Sequence, residues 1–153
     1  MQSIDLTQFN QLDEAFQEIL DKIPGRRREL HEKIADVLKE EVSIQIAQSG
    51  LKDNSGRISE WQQQYVGSGG GYAAVRATDK STGNNSPGAI TNYLENGHKI
   101  REPSGKSKKY KPRIKKVYVD GYHFYKNTKS RSESKAIAAA EEYAKEITDI
   151  LEG

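Results

Sequence analysis

The stretch KKVYVDGYHFYKNTKSRSESKAIAAAEEYAKEITDIL, residues 115–151, changes its hydrophobic period part-way along, and that change decides the fold class. Between Lys115 and Phe124, Val117, Val119 and Gly121 alternate with Tyr118, Asp120 and Tyr122, the two-residue repeat of a strand, with Gly121 marking a bend or bulge. From Ser132 onward Ile137, Ala140, Tyr143, Ala144, Ile147, Ile150 and Leu151 recur three and four residues apart, one stripe of an amphipathic helix, with Ser132 or Ser134 as its cap. A sequence that holds both periods in succession calls for a sheet and helices in one unit.

The same two periods appear upstream. Phe9, Leu12, Phe16, Ile19 and Ile23 form a helical seam that Asp5 or Thr7 can cap and Pro24-Gly25 ends. Leu30, Ile34, Val37, Leu38, Val42 and Ile46 form a second seam, with Gly50 placed for a left-handed C-terminal turn. A helical hairpin and one helix kinked at Pro24 both satisfy this pattern. Ile58, Trp61 and Tyr65 share a helical face, whereas Ile58–Val66 also suits the start of a strand; a short helix running into an extended segment accommodates both. Residues 72–78 read as a strand, 81–88 as a polar turn and 89–94 as a further ordered element. The expected architecture is α+β, with helices at both ends packed on one face of a small, mostly antiparallel sheet. Its 153 residues suit one domain: residues 1–50 helical, 51–131 the sheet with its glycine-rich and basic loops, 132–153 the terminal helix.

Composition narrows the chemistry. With no cysteine, the chain has no disulfide framework, thiol nucleophile or thiolate metal ligand. The start MQSIDLTQFNQLDEAF lacks a basic segment followed by an apolar run, and the longest apolar run is Ala136–Ala140, so neither a signal peptide nor a bilayer span is expected. An apolar share of 34% against a charged share of 30% is polar for a compact monomer and points to assembly. Gly67-Ser68-Gly69-Gly70-Gly71 lacks the Lys-Ser or Lys-Thr pair of a phosphate-cradling loop, and neither it nor Ser55-Gly56-Arg57 supplies a nucleophile elbow. His31, His98 and His123 lie apart; only Glu95 with His98 has a metal-ligand spacing, and one Glu-x-x-His pair is half of what such centres need. No catalytic group, cofactor or metal ligand is assigned.

Charge is the informative feature. Lys99, Arg101, Lys106, Lys108, Lys109, Lys111, Arg113, Lys115 and Lys116 face the single acid Glu102 within residues 99–116, a formal +8 that leaves −6 on the rest of a chain whose net charge is +2. The first helix and the terminal helix, the latter read from Ser132, carry about −4 each. Three readings fit the basic run: a solvated loop, a contact with an acidic helix of an adjacent copy, and a sequence-independent contact with DNA phosphates in which Tyr110 stacks on a base. Copies arranged as a ring around a channel that DNA crosses would reconcile the last two.

Ser55-Gly56-Arg57-Ile58, the segment 72–78, Ala89–His98 (AITNYLENGH), Val119–Phe124 (VDGYHF) and the terminal helix occur in an order that resembles the small neck or tail-completion proteins of tailed bacteriophages. Ser55 and Ile58 stand where that family has threonine and leucine, and Asn96-Gly97-His98 where it has a Gly-Thr pair. The resemblance implies a non-enzymatic virion or phage tail-like particle component, assembled in the host cytoplasm. It implies a hexameric ring at the head-to-tail junction or the head-proximal end of a tail. Its neighbours would be tail-tube, terminator, sheath or connector proteins and transiting DNA, with no membrane. Trp61, Tyr65, Tyr93, Leu94, Glu95 and Gly97 would then shape the fold or its interfaces, and the basic residues would meet a neighbour or DNA.

Overall fold

A computed structural model describes residue 14 and residues 25–78, 81–100 and 116–153. The seam from Phe9 to Ile23 and seven of the nine bases, Arg101 to Lys115, lie outside the described residues. The described elements are α1 (Arg26–Gln48), α2 (Arg57–Trp61), β1 (Gln62–Val66), β2 (Ala73–Ala77), α3 (Pro87–Asn96), β3 (His98–Lys99), β4 (Tyr118–Val119) and α4 (Phe124–Glu152).

α1 follows the apolar seam at 30–46 and stops where expected: the Ser49 amide donates to Gln45 and Ile46, and Gly50 takes φ +80. The helix pair α1 and α4 is the framework. Leu30 and Ile34 pack with Ala140, Tyr143 and Ile147, while Val42 and Ile46 pack with Phe124, so the two helices run antiparallel. Each fully buried side chain of this kind contributes about 1.5–3 kcal/mol. β1 and β2 pair antiparallel, Gln62 opposite Ala77 through Val66 opposite Ala73, and lie on α1, with Ala73 joining the first cluster and Val75 the second. The α+β architecture, terminal helices on a small antiparallel sheet, is as the two sequence periods require.

Three local features differ from the sequence reading. β4 spans two residues and pairs with β3, so the described strands form two separate two-stranded ladders. The ordered element after the polar turn is a helix, α3, which begins at Pro87 with the Ser86 hydroxyl accepting from the Ala89 amide at 3.3 Å. α4 begins at Phe124, not at Ser132 or Ser134; Ser132 is buried inside it, in line with Thr128 and Ala136. Periodicity misses this first stretch because its buried stripe, Phe124, Thr128 and Ser132, is mainly polar, and only the facing α1 gives it a reason to be inside.

One ion pair ties the middle of the two helices. Glu41, 2% exposed, accepts from the Lys135 ammonium and from the Gln45 amide at 2.7 Å. The Lys135 hydrogen bond holds the Glu41 carboxyl below the usual glutamate range, against burial, with Gln45 assisting. A folded-state pKa below the unfolded one means the stabilisation is complete above about 4.3, the ordinary glutamate value, and is lost as pH falls through the depressed folded pKa. Glu41→Gln is therefore expected to lower the urea midpoint at pH 7, with the gap from wild type closing as pH falls through that window.

Candidate functional site

The short motifs that carry the resemblance collect at one corner of the molecule, where α1 ends and α4 begins. Each does backbone work there. Gly56 takes φ +67 ahead of α2 and offers no side-chain cap; the Asp53 carboxylate supplies one, accepting from the Ile58 amide at 3.2 Å and the Ser59 amide at 3.0 Å. Ile58 then packs beside Val42, Ile46, Phe124 and Leu94.

α4 starts by the same device over a longer reach. His123 has φ 56, the one positive φ among the described non-glycine residues, and does not cap the helix itself. The carboxylate of Glu95, at the end of α3, accepts from the Tyr125 amide at 2.9 Å and the Lys126 amide at 3.0 Å. These are the second and third helical residues, the amides a local cap would satisfy, and a negative charge at that end also suits the helix dipole. Glu95 is 8% exposed. Its charge, second to burial, pushes the neighbouring Tyr125 hydroxyl up to about 12, and that hydroxyl donates to the Gln62 side chain.

Around this cap two chain segments touch without side chains between them. The Tyr122 amide donates to the Leu94 carbonyl at 2.8 Å, the His123 amide to Glu95 at 3.2 Å, and the Tyr118 hydroxyl to Asn96 at 2.8 Å. A Cβ on Gly121 would run into the Glu95 carbonyl, and one on Gly97, at φ +76, into the Val119 carbonyl. Gly97 therefore meets two demands at once, conformation and space, and Gly121 a purely steric one. Leu94 packs against the second core cluster, and Tyr93 packs against the His98 ring at a tilt of 55°, centroids 5.5 Å apart.

This arrangement decides what Glu95 and His98 do. Both carboxylate oxygens are engaged with amides and the histidine ring packs against Tyr93, so the pair does not converge on a common point. Among the described residues no three His, Asp or Glu side chains gather to hold a metal ion. His31 is buried and its Nδ1 donates to the Arg27 carbonyl at 2.9 Å. Trp61 is half-buried at the end of α2, and Tyr65, 38% exposed, carries the Arg76 guanidinium 3.9 Å from its ring centroid.

Directly beyond the corner is the stem of the basic segment. His98 lies opposite Val119, Lys99 opposite Tyr118, and the Ile100 amide donates to Val117 at 2.9 Å. The chain thus departs and returns across one antiparallel ladder, whose strands lie about 4.8 Å apart. Lys99 and Lys116 are exposed on this stem. The early start of α4 adds Lys126, Lys129 and Arg131, all exposed, to the same end of the molecule. Residues 99–138 hold thirteen bases against Glu102, Asp120 and Glu133, a formal +10, and the remainder of the chain carries −8. The last half of α4, residues 139–152, keeps −4, but the whole helix is only −1. The run KNTKSRSESK held this signal, and a helix begun at Ser132 cut it in two.

No family model, curated protein or solved structure matches the chain.

Replacing Glu95 by Gln sets a donor against a buried amide and is expected to cost about 1–3 kcal/mol. Hydrogen exchange should show faster exchange at the Tyr125 and Lys126 amides with little change in the α1 amides. Gly121→Ala should destabilise by a similar or larger amount, read from the denaturant midpoint.

Proposed function

We propose that the protein is a structural assembly component of a tailed-bacteriophage particle, a neck or tail-completion protein that forms a ring with copies of itself. The observation that carries this reading is the use made of the motif residues. Gly56, Ile58, Leu94, Glu95, Gly97 and Gly121 are spent on helix caps, close backbone approach and packing, and the corner they build holds the basic stem in a fixed place. The second support is the division of charge, +10 against −8, in one small chain, which suits a subunit that joins others by opposed surfaces. The ring is six-fold, and tail-tube, terminator, sheath or connector proteins flank it, as the resemblance implies.

Lys126, Lys129 and Arg131 beside the stem also favour a second reading, contact with the phosphates of DNA. That contact would weaken steeply with salt and lose part of the slope when lysines of the basic segment are neutralised.

Mass spectrometry of purified particles from a strain that encodes the protein, with negative-stain imaging of a deletion strain, tests the assembly reading. The expected result is the protein in intact particles at ring stoichiometry, and heads and tails unjoined or tails of irregular length without it. Particles that lack the protein and form normally after deletion would overturn the proposal.

A further inference from the structure

The hairpin of β1 and β2 turns one face to α1 and the other to water. On the inner face Ala73 and Val75 reach the two core clusters, and Gln62 is fully buried. Residues opposite each other share a face and alternate residues of a strand return to it, so the outer face holds Gln63 beside Arg76, Tyr65 beside Ala74, and Tyr72 beyond them. Arg76 spans the two rings: its guanidinium lies 3.9 Å from the Tyr65 centroid, and its Nη2 donates to the Tyr72 hydroxyl at 3.3 Å. The tyrosine centroids are 6.0 Å apart, and Tyr72 is 49% exposed.

The glycine-rich loop seats this group. A Cβ on Gly67 would run into the Tyr72 ring, which therefore rests directly on the backbone there. A Cβ on Gly71 would stand 3.1 Å from the Arg27 Nη2, and the Arg27 Nε is buried with no hydrogen-bond partner among the described residues. Toward the other end of the hairpin the Lys39 ammonium donates to the Gln63 side chain at 3.4 Å. Arg27, Lys39 and Arg76 make no ion pair among the described residues, whereas Arg26 and Arg28 are matched by Glu29 and Glu32.

We propose that the outer face of this hairpin binds single-stranded nucleic acid, with bases stacked on Tyr72 and on the Arg76 guanidinium over Tyr65, and with Arg27, Lys39 and Arg76 taking phosphates. Ring faces and a guanidinium plane suit unpaired bases, and cations without acids suit the backbone between them. A duplex keeps its bases stacked on one another and offers these rings nothing. The face carries no acid and no aliphatic side chain larger than alanine, which sets it apart from the apolar, charge-depleted centre of a protein interface. The site lies on other elements than the basic segment and does not depend on the assembly reading.

Fluorescence anisotropy of the full chain with labelled oligo(dT), oligo(U) and a DNA duplex of equal length tests the site. Single strands bind, and the ratio of the first two affinities tells DNA from RNA. Tyr72→Ala weakens single-strand binding on the order of 10-fold, leaves any duplex affinity of the basic segment unchanged, and keeps the urea midpoint, while Tyr72→Phe retains the affinity. Arg76→Gln lowers the salt slope for the single strand by about 0.7. Cross-linking of a bromodeoxyuridine oligonucleotide marks the peptide that contains Tyr72. Single strands that do not bind, a Tyr72→Ala variant that binds them unchanged, or a loss equal on duplex and single strand would overturn the proposal. Self-association that depends on Tyr72, without oligonucleotide binding, would overturn it as well and put a second copy on this face. None of these measurements reads particle composition, so the assembly reading stands or falls separately.

Discussion

Two backbone amides at the start of the longest helix have no partner within that helix, and the carboxylate of Glu95 takes both. Most of the corner depends on this. With Glu95 in place, Gly97 and Gly121 must come together, the chain must turn through His123 in a left-handed conformation, and β3 must lie beside β4. Phe124 is then delivered into the core at 0% exposure, where it joins Val42 and Ile46. A left-handed non-glycine residue costs on the order of 1–3 kcal/mol. The buried aromatic ring and the satisfied amides offset it.

The other end is secured differently. Tyr143 is buried against Leu30 and Ile34, and its hydroxyl donates to the Glu29 carboxylate at 2.7 Å. Burial first, and then that carboxylate, pushes the Tyr143 hydroxyl up to about 12, so it stays protonated as a donor. With Glu41 and Lys135 between, α4 is fixed to α1 at three levels, and the stem and the acidic half are held apart at the two ends.

The charge along α4 opposes its dipole. Its first half is basic and its last half acidic, whereas a helix favours the reverse by about 0.3–1 kcal/mol per exposed charge. Glu95 restores a negative charge at the N-terminus from outside the helix. The apolar stripe from Ala136 to Ile147 carries the remainder. The charge order thus weakens the isolated helix, and the helix is held by what it packs against on α1.

The sequence by itself determined the elements whose apolar side chains repeat at a fixed period, α1 from Leu30 to Ile46 and the second half of α4, and it marked β2 as a strand, while residues 58–66 suited a helix and a strand alike. Burial of one face is written in such spacing, and with it the α+β class. It also held the charge division, which is a property of composition. What only the tertiary structure decided is where α4 begins and what Glu95, Gly97 and Gly121 are for. A cap taken from 30 residues away leaves no periodic trace, and a stripe of Phe124, Thr128 and Ser132 is buried only because α1 and Glu95 are there to receive it. Contacts between residues distant in the chain fix backbone amides and crossing glycines, and a one-dimensional pattern has no term for them.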